Sequence, residues 1–533
     1  MRPLHRSFVP ALMTALAALC LSAPVRPQGR LLPIPPRAEG DGPFARLVLH
    51  GAVVIDGTGA IPFGPAQIVI EKNRITQVRA IGTPGLPPPP PPVARPSEKV
   101  IDVTGMYVMP GFVDAHEHVG SSETKPGDYF YRLLMAHGVT SVRDVGSGGD
   151  LSWALDQKQK SAQNAITAPR IFEYATVNAP TPDAAREFVR TVKERGGDGI
   201  KMFGLAPSIY AAVLDEAKKQ GLRTACHLAQ NAVARNTILD LARMGLTTME
   251  HWYGLPEALL ERSTIQDWPV DALYGNEQDR FGQAGRLWKQ AAPPYSEKWN
   301  QVMNELIRLD FTLVPTLTIY EASRDLMAAR CAEWHALYTL PKLWESFAPN
   351  RRAHGSYWYY WTTRDEIEWK RNYQLWMTFV NEYKNRGGRV AVGADSGFIY
   401  SIFGFGFIRE FEMLQEAGFH PLEVVRAATL KGAEALGIER DLGTVEAGKL
   451  ADLVVVPANP LENFKVLYGT GAIRLSDANE VIRVGGISYT IKDGIVYDAR
   501  KLLADVRRMV VDAAAEEKFE WGQPGTKKGG SGK

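Results

Sequence analysis

Apolar and polar residues alternate in two different ways along this chain of 533 residues. Between residues 46 and 78 they alternate as in β-strands, with turn sequences at 56–59 and 72–73. From residue 112 short apolar strands alternate with helical stretches, which is typical of parallel βα units. After residue 440 the strand pattern returns. This order predicts one βα region with a β segment on either side of it.

The βα region contains eight candidate strands, with helical segments between or after them. The strands are predicted at 112–116, 140–145, 170–175, 199–203, 223–227, 247–251, 311–316 and 390–395. Helices are predicted at 183–195, 208–219, 231–244 and 421–436, among others. Eight such units predict an α/β fold, a (β/α)8 TIM barrel, with an open doubly wound sheet as the alternative.

The two flanking β segments are expected to pair into one small composite β-sandwich domain. The predicted boundaries are 29–108 for its N-terminal part, with a Pro-rich loop at 82–98, and 440–500 for its C-terminal part. The barrel then occupies 109–439. A C-terminal helix and a disordered tail are expected at 501–533, where glycine, lysine and serine dominate the end of the chain.

Two long insertions interrupt the barrel pattern, at 252–310 and 319–388. Ten of the 12 tryptophans lie between Trp252 and Trp376. Long βα loops cover the mouth of a barrel, so these rings could shape a pocket for an apolar or ring-bearing substrate. For most of the rings a core of the insertion itself, or a subunit interface, is the favoured interpretation, because aromatic side chains dominate such places.

The net charge and the N-terminal sequence limit the partners and the location that can be expected. Lysine plus arginine total 61 and aspartate plus glutamate 59, which gives no electrostatic reason to expect nucleic acid or an anionic membrane. Residues 1–28 resemble a secretory signal peptide, with early arginines and an apolar run from Phe8 to Ala23. A periplasmic or secreted enzyme with a small-molecule substrate is therefore expected; an uncleaved anchor and a homo-oligomer stay open.

Polar residues able to bind metal lie at the ends of the predicted strands. His116 and His118 are two residues apart on one strand, so their side chains share a face. The others are Lys201, His227, His251 and Asp395, each at or near the end of a later strand. Because strand ends of a barrel meet at one mouth, the six side chains predict a metal site there.

Several motifs resemble the amidohydrolase superfamily of metal-dependent hydrolases, in particular its prolidase-like and imidazolonepropionase-related branch. They are Met-Pro-Gly-Phe-Val-Asp-Ala-His-Glu-His at 109–118, Gly-Val-Thr-Ser-Val-Arg-Asp at 138–144, Met-Glu-His at 249–251, Gly-Ala-Asp-Ser-Gly at 393–397, Ala-Ala-Thr at 427–429 and Gly-Thr-Val-Glu-Ala-Gly-Lys-Leu-Ala-Asp-Leu at 443–453. The likeness runs from about residue 46 to residue 497 and is weakest in the two insertions. These motifs are specific for the superfamily and say little about the substrate.

The resemblance implies a binuclear site with two divalent metal ions. His116, His118 and Asp395 would hold one ion, and His227 and His251 would hold the second. Zinc is the default metal for such a histidine-rich set.

The resemblance further implies that Lys201 is carbamylated by carbon dioxide and bridges the two ions. An ammonium beside two cations would be repelled, whereas a carbamate offers one oxygen to each ion. Imidazolonepropionase is similar in its His-x-His and tail motifs but holds one metal without such a lysine. Lys201 therefore favours the prolidase-like site.

The expected reaction is cleavage of an amide or peptide C–N bond in a dipeptide, an N-acyl amino acid or a cyclic amide. A hydroxide that bridges the metals would attack the carbonyl, and the catalytic Asp395 would pass the proton to the leaving amine. A lactonase or ester hydrolase on the same site is one alternative. A non-catalytic metal-binding barrel protein is the other.

Three further residues are candidates for substrate binding. Arg143 ends the second strand and could meet a substrate carboxylate, although a structural ion pair with Asp144 or another acid is favoured. Tyr253 and Tyr320 follow the sixth and seventh strands and could face the pocket.

Overall fold

A computed structural model describes residues 31–146, 150–348 and 358–521. The predicted signal peptide at 1–28 and most of the predicted tail lie outside these residues, as does part of the second insertion. In the described part, no helix is both long enough and apolar enough to cross a membrane.

The first five strands belong to the N-terminal segment. They are β1 (Arg46–Val54), β2 (Phe63–Glu71), β3 (Arg74–Ala80), β4 (Glu98–Asp102) and β5 (Tyr107–Pro110).

The next eight strands form one parallel sheet, and a strand lies at each of the eight predicted positions. They are β6 (Phe112–Glu117), β7 (Val139–Asp144), β8 (Arg170–Thr176), β9 (Gly199–Met202), β10 (Arg223–Cys226), β11 (Thr248–Glu250), β12 (Thr312–Val314) and β13 (Arg389–Val390). Each strand pairs with the next in chain order, so the sheet curls from β6 round to β13.

The sheet is barrel-like, but no strand ladder joins its first and last strands within the described residues. The two edges still meet, because the amide of Ala115 donates to the carbonyl of Val392 (2.9 Å) and that of Asp395 to His116 (2.8 Å). The fully closed barrel predicted from the sequence is thus corrected to a curled, TIM-barrel-like sheet. The reason is local: β13 has only two residues, and the chain after it leaves the strand conformation.

Helices connect the strands or build the insertions. They are α1 (Gly127–Ala136), α2 (Leu151–Ala162), α3 (Pro182–Glu194), α4 (Pro207–Gln220), α5 (Ile238–Arg243), α6 (Leu255–Ala258), α7 (Glu277–Ala284), α8 (Glu297–Arg308), α9 (Glu321–Arg324), α10 (Leu326–Arg330), α11 (His335–Tyr338), α12 (Pro341–Ser346), α13 (Thr363–Asn385), α14 (Phe405–Glu416), α15 (Pro421–Ala428), α16 (Leu430–Leu436) and α17 (Ala499–Glu516). Short 3-10 helices lie at Trp288–Gln290, Leu317–Tyr320 and Phe464–Leu467.

Two of the predicted helices differ from the structure for local reasons. The helix expected at 231–244 begins only at Ile238, because Thr237 and Asp240 form a reciprocal capping box there. The helix expected at 421–436 is divided at Thr429, whose backbone is not helical, into α15 and α16.

The C-terminal strands return to the N-terminal ones. They are β14 (Leu453–Val456), β15 (Ala472–Leu475), β16 (Val481–Val484), β17 (Tyr489–Lys492) and β18 (Ile495–Asp498). β14 pairs with β5 and β17, so both ends of the chain share one sheet, as expected; β15 and β16 form a separate hairpin. The domain limits stay a prediction.

The eight strands of the composite domain are connected in one hydrogen-bonded sheet, and its packing as a sandwich stays a prediction. The first half of β1 pairs with β4 and its second half with β5, so both partners continue the same sheet. One apolar cluster, which includes Leu49, Ile68 and Leu453, packs within this domain.

The insertion rings mainly form a core. Trp252, Trp288, Trp299, Trp369 and Trp376 are all fully buried. Trp252 contacts both Trp369 and Trp376 with ring centroids 5.7 Å apart. The favoured interpretation of these rings, a core of the insertion, agrees with this packing.

Candidate metal centre

Asp395 lies at the centre of a group of histidines at the carboxyl end of the barrel-like sheet. Its Oδ1 is 3.7 Å from Nε2 of His116 and 3.5 Å from Nε2 of His118, and its Oδ2 is 3.7 Å from Nε2 of His251. Two ligand atoms of a tetrahedral zinc ion, each about 2.1 Å from the metal, lie roughly 3.4 Å apart. The spacing therefore fits ligands that surround a metal, and candidate ligand atoms of His116, His251 and Asp395 all lie within 4.8 Å of one another.

Backbone geometry brings these side chains together. The amide of Asp395 donates to the carbonyl of His116, which fixes the two chain segments side by side. Asp395 and His251 both adopt left-handed backbone conformations, with φ of 50° and 63°. Non-glycine residues seldom adopt this conformation, and it is concentrated at functional sites.

Each of the three histidines has its second ring nitrogen held by the protein. Nδ1 of His118 lies 3.2 Å from the carbonyl oxygen of Gly146, which can only accept. Nδ1 of His251 lies 2.5 Å from the hydroxyl of Thr316, and that hydroxyl donates its own hydrogen to the carbonyl of Pro315. Nδ1 of His116 contacts the carboxylate of Glu250. Nδ1 is therefore the protonated nitrogen of each ring, and the lone pair of each Nε2 is directed to the site.

Burial keeps these rings neutral. It lowers the pKa of His118 to about 3, with the nearby Lys201 cation acting in the same direction. Burial also lowers the pKa values of His116 and His251 well below the usual range. Nε2 of His116 is buried and has no hydrogen-bond partner among the residues that the structure describes. A neutral, buried imidazole with an unused lone pair is a suitable metal ligand, so the residues present fit a divalent ion.

Lys201 and His227 lie beside this group. The ring of His227 is 4.6 Å from that of His251, between centroids. The ammonium of Lys201 is fully buried, and no described residue hydrogen-bonds to it. Burial lowers the pKa of Lys201 to about 8, although the carboxylates of Glu250 and Asp395 oppose the shift. All six predicted residues thus lie in one region, and the nitrogen–oxygen distances given above join His116, His118 and His251 to Asp395.

Arg143 lies inside the site and binds protein groups there. Its guanidinium is fully buried and donates to the carbonyl of Ala115, the hydroxyl of Thr248 and the carboxylate of Glu250. Because Nε, Nη1 and Nη2 each donate to a protein acceptor and the side chain is fully buried, the structural alternative is favoured over contact with a substrate. Arg143 forms an ion pair with Glu250, which is one of the neighbouring acids that the structural alternative allowed.

Glu250 and Thr316 are supporting residues that sequence reasoning missed. Glu250 links Arg143 to His116, and Thr316 holds His251. A carboxylate or hydroxyl that accepts the second N–H of a ligand histidine fixes its orientation and tautomer. The available signal for Glu250 was a charged residue directly before a candidate ligand in a predicted strand.

Aromatic rings border the ligand histidines. Tyr253 and Tyr320 are buried, with ring centroids 5.6 Å from His227 and 5.7 Å from His251, respectively. Their predicted contact with a substrate stays a prediction. Sequence reasoning missed Phe203, which is 38% exposed and 5.5 Å from the His227 ring, and Phe398, which is 6.3 Å from the His118 ring.

Comparison with known proteins gives partial but consistent matches. The model of the amidohydrolase family matches residues 377–496. An adenine deaminase of Bacillus velezensis is 26% identical over 190 residues, which cover 31% of this chain and 30% of the deaminase. A D-hydantoinase of Streptomyces coelicolor is 27% identical over 233 residues, 41% of this chain and 47% of the hydantoinase. The chain thus spans less than half the length of these curated relatives.

Solved structures share the fold over most of the chain. A Xaa-Pro dipeptidase with methionine in its active site has a TM-score of 0.56 at 19% identity, over 85% of this chain and 100% of that one. A bottromycin amidohydrolase has a TM-score of 0.58 at 20% identity, over 90% of this chain and 92% of that one.

The fold is shared with a dipeptidase and an amidohydrolase of known structure, and the histidine–aspartate group could hold a metal ion. Over residues 377–496 the chain matches the amidohydrolase family, in agreement with the superfamily predicted from the motifs.

Proposed function

We propose that the protein is a metal-dependent amidohydrolase that cleaves an amide or peptide C–N bond in a small molecule. The observation that carries the proposal is the convergence of Nε2 of His116, His118 and His251 on Asp395, each ring being held through its Nδ1. A metal ligand needs an Nε2 that is directed to the site and an Nδ1 that is held by the protein, whereas a structural histidine does not need the two together.

The chain supplies ligands, a proton carrier and a dry environment. A divalent ion held there would supply a water of lowered pKa and polarise the substrate carbonyl. Asp395 would take the proton from the attacking water on a carboxylate oxygen and deliver it to the nitrogen of the leaving amine. Glu250 and Thr316 would keep His116 and His251 in place throughout the cycle.

A second metal bridged by a carbamylated Lys201 is part of the proposal. The lysine nitrogen would attack carbon dioxide, form the N–C bond and release a proton, which leaves a carbamate anion. Two observations support this step: the ammonium has no hydrogen-bond partner among the described residues, and its lowered pKa makes neutral amine available near neutral pH. His227 and His251 would be the further ligands of that ion.

Dipeptides, N-acyl amino acids and cyclic amides are the proposed substrates. A dipeptidase and a hydantoinase stand among the similar proteins, and Phe203 and Phe398 offer apolar surface beside the ligands. An ester or lactone would be attacked by the same chemistry, so ester hydrolysis is the competing activity. Export through residues 1–28 is also proposed, and it would place the enzyme in the periplasm or outside the cell.

A hydrolysis screen with zinc-loaded protein tests the proposal. Matched amide and ester substrates should show turnover of the amide, together with bound zinc by elemental analysis. Turnover of the ester alone would favour the lactonase alternative. Protein that binds no zinc, or binds zinc without any turnover, would favour the non-catalytic alternative.

A further inference from the structure

Thr316, whose hydroxyl accepts from Nδ1 of His251, has a backbone conformation that its own side chain disfavours. Its φ and ψ are 49° and 50°, which lie in the left-handed region. A β-branched residue keeps such a conformation only where the surrounding structure holds it there. The groups that hold the chain at Thr316 therefore also hold the hydrogen-bond partner of His251.

The carboxylate of Glu410 holds the segment that follows Thr316. Its Oε1 accepts a hydrogen bond from the amide of Leu317 (2.8 Å), and its Oε2 accepts from the amide (2.8 Å) and the hydroxyl (2.7 Å) of Thr318. Both amides belong to the first turn of the 3-10 helix Leu317–Tyr320, where backbone N–H groups have no acceptor inside the helix. Glu410 therefore caps the helical turn that begins directly after Thr316.

α14, the helix that carries Glu410, also holds the other end of this turn. Nε of Arg409 lies 3.0 Å from both carboxylate oxygens of Glu321, the residue after Tyr320. The ring of Tyr320 borders His251, with 5.7 Å between centroids. The turn that α14 holds at both ends thus carries two of the side chains that contact His251.

Glu410 is fully buried, which makes its hydrogen bonds to the turn important. Burial of a carboxylate costs free energy unless hydrogen bonds compensate for the lost water. The three hydrogen bonds from Leu317 and Thr318 provide this compensation. The carboxylate and the turn therefore stabilise each other.

We propose that Glu410 is a positioning residue of the metal centre, which acts on His251 through Thr316. It touches neither the metal nor the substrate. It keeps the turn in the conformation in which the Thr316 hydroxyl meets Nδ1 of His251, so that Nε2 of this ring stays directed to Asp395. The inference rests on the metal centre of the proposed function, but its test needs no turnover.

The zinc affinity of the full-length protein, measured by chelator competition, tests this role. Glu410→Gln keeps the size of the side chain, but it has one acceptor oxygen fewer, and its amide nitrogen would face a backbone N–H group. Zinc should bind about three- to tenfold more weakly, a smaller loss than is usual for a residue that binds the ligand histidine directly. The visible absorption bands of the cobalt-substituted protein, which depend on ligand geometry, should shift as well.

A double-mutant cycle shows whether Glu410 acts through Thr316. In the Thr316→Val background the link to His251 is already lost, so adding Glu410→Gln should weaken zinc binding less than about twofold further. An equal loss in both backgrounds would overturn the proposed route through Thr316. An unchanged zinc affinity in Glu410→Gln alone would overturn the role of this residue.

Two control variants separate positioning from general effects. Glu416→Gln removes an exposed carboxylate of α14 that pairs with Arg324, and it should leave the zinc affinity unchanged. Val506→Ala shortens a buried side chain of α17, which packs on α1, so it should lower the unfolding temperature but not the zinc affinity. An equal loss of zinc affinity in Val506→Ala would contradict the proposal. Wild-type protein that binds no zinc would overturn the metal centre itself, whereas equal zinc binding by wild type and Glu410→Gln would overturn only the role of Glu410.

Discussion

The candidate metal centre has an Asp395 side and a Lys201 side. They differ in how completely their side chains, before any chemical modification, are arranged to bind a metal. On the Asp395 side, His116, His118 and His251 surround one carboxylate at 3.5 to 3.7 Å. On the Lys201 side, His227 contacts its neighbours through rings, and the lysine ammonium is buried without a hydrogen-bond partner in the described part of the chain. The first side is preorganised for a metal, whereas under the proposed function the second would hold one only after carbamylation of Lys201.

Neutralising the carboxylate of the Asp395 side should have the largest effect. Asp395→Asn removes both the anionic ligand and the proton acceptor, so we expect kcat/KM to fall roughly 10²- to 10⁴-fold. Steady-state kinetics and elemental analysis would measure the loss of activity and of zinc. Asp310→Asn, at an exposed aspartate paired with Arg389, is the control and should be neutral. Full activity in Asp395→Asn would refute the role of this side.

Removing the lysine tests the other side. Lys201→Ala should lower the zinc content from two ions per chain to one and reduce activity at least about 10²-fold. Lys218→Ala, at an exposed lysine of α4, should change neither quantity. Two ions per chain in Lys201→Ala would show that the second ion does not depend on this residue.

The ligands on the Asp395 side could be predicted from the sequence, but the residues that hold them, Glu250 and Thr316, could not. Strand ends of a barrel converge, so His116, His251 and Asp395 could be brought together from strand positions alone. The identity of a hydrogen-bond partner depends on side-chain directions across neighbouring strands, which periodicity does not give. Glu250 and Thr316 were missed for this reason, and Arg143 was considered for a substrate carboxylate although it binds Glu250.

Prediction of the fold was limited in the same way: strand positions could be predicted, but not how the strand edges pair. A strand overlaps each of the eight predicted positions, although the last prediction, 390–395, meets β13 only at Val390. Sheet closure depends on which edges pair, and here prediction and structure differ. The two-residue β13 leaves the barrel edge without a ladder within the described residues.

Weakening a support should have an intermediate effect. Glu250→Gln lowers the ability of the side chain to orient His116, so we expect zinc to bind about 10- to 100-fold more weakly. Chelator competition measures this affinity. The variant also removes the charge that faces the buried Arg143, so thermal unfolding of the metal-free protein should occur at a lower temperature.

Thr316→Val is the matched variant for the second histidine. It removes a neutral acceptor instead of a charged one, so it should weaken zinc binding less than Glu250→Gln does. An unchanged zinc affinity in both variants would show that the supports do not hold the ligands.

The pH dependence of reactivation by zinc tests whether Lys201 reacts as a neutral amine. Burial lowers the pKa of Lys201 to about 8, and only the neutral amine reacts with carbon dioxide. At fixed dissolved carbon dioxide, the rate at which zinc reactivates stripped protein should rise roughly fivefold from pH 7 to pH 8 and level off above pH 9, as the neutral fraction approaches one. Lys201→Ala should show no such rise. A rate that falls over this range would contradict carbamylation of a neutral amine.

The smallest expected effect concerns the rim of the Lys201 side. Phe203 is 38% exposed, and its ring lies 5.3 Å from the Lys201 ammonium, so it can meet the part of a substrate that extends from this side. Phe203→Ala should reduce the preference for a dipeptide with phenylalanine over the same dipeptide with alanine, by about three- to tenfold in kcat/KM. Phe398→Ala makes the equivalent change beside His118 and should alter the preference less if the substrate side chain lies over Lys201. A larger loss of preference in Phe398→Ala would place the substrate side chain on the Asp395 side instead. The candidate ligand histidines, and not Lys201, would then border the specificity pocket.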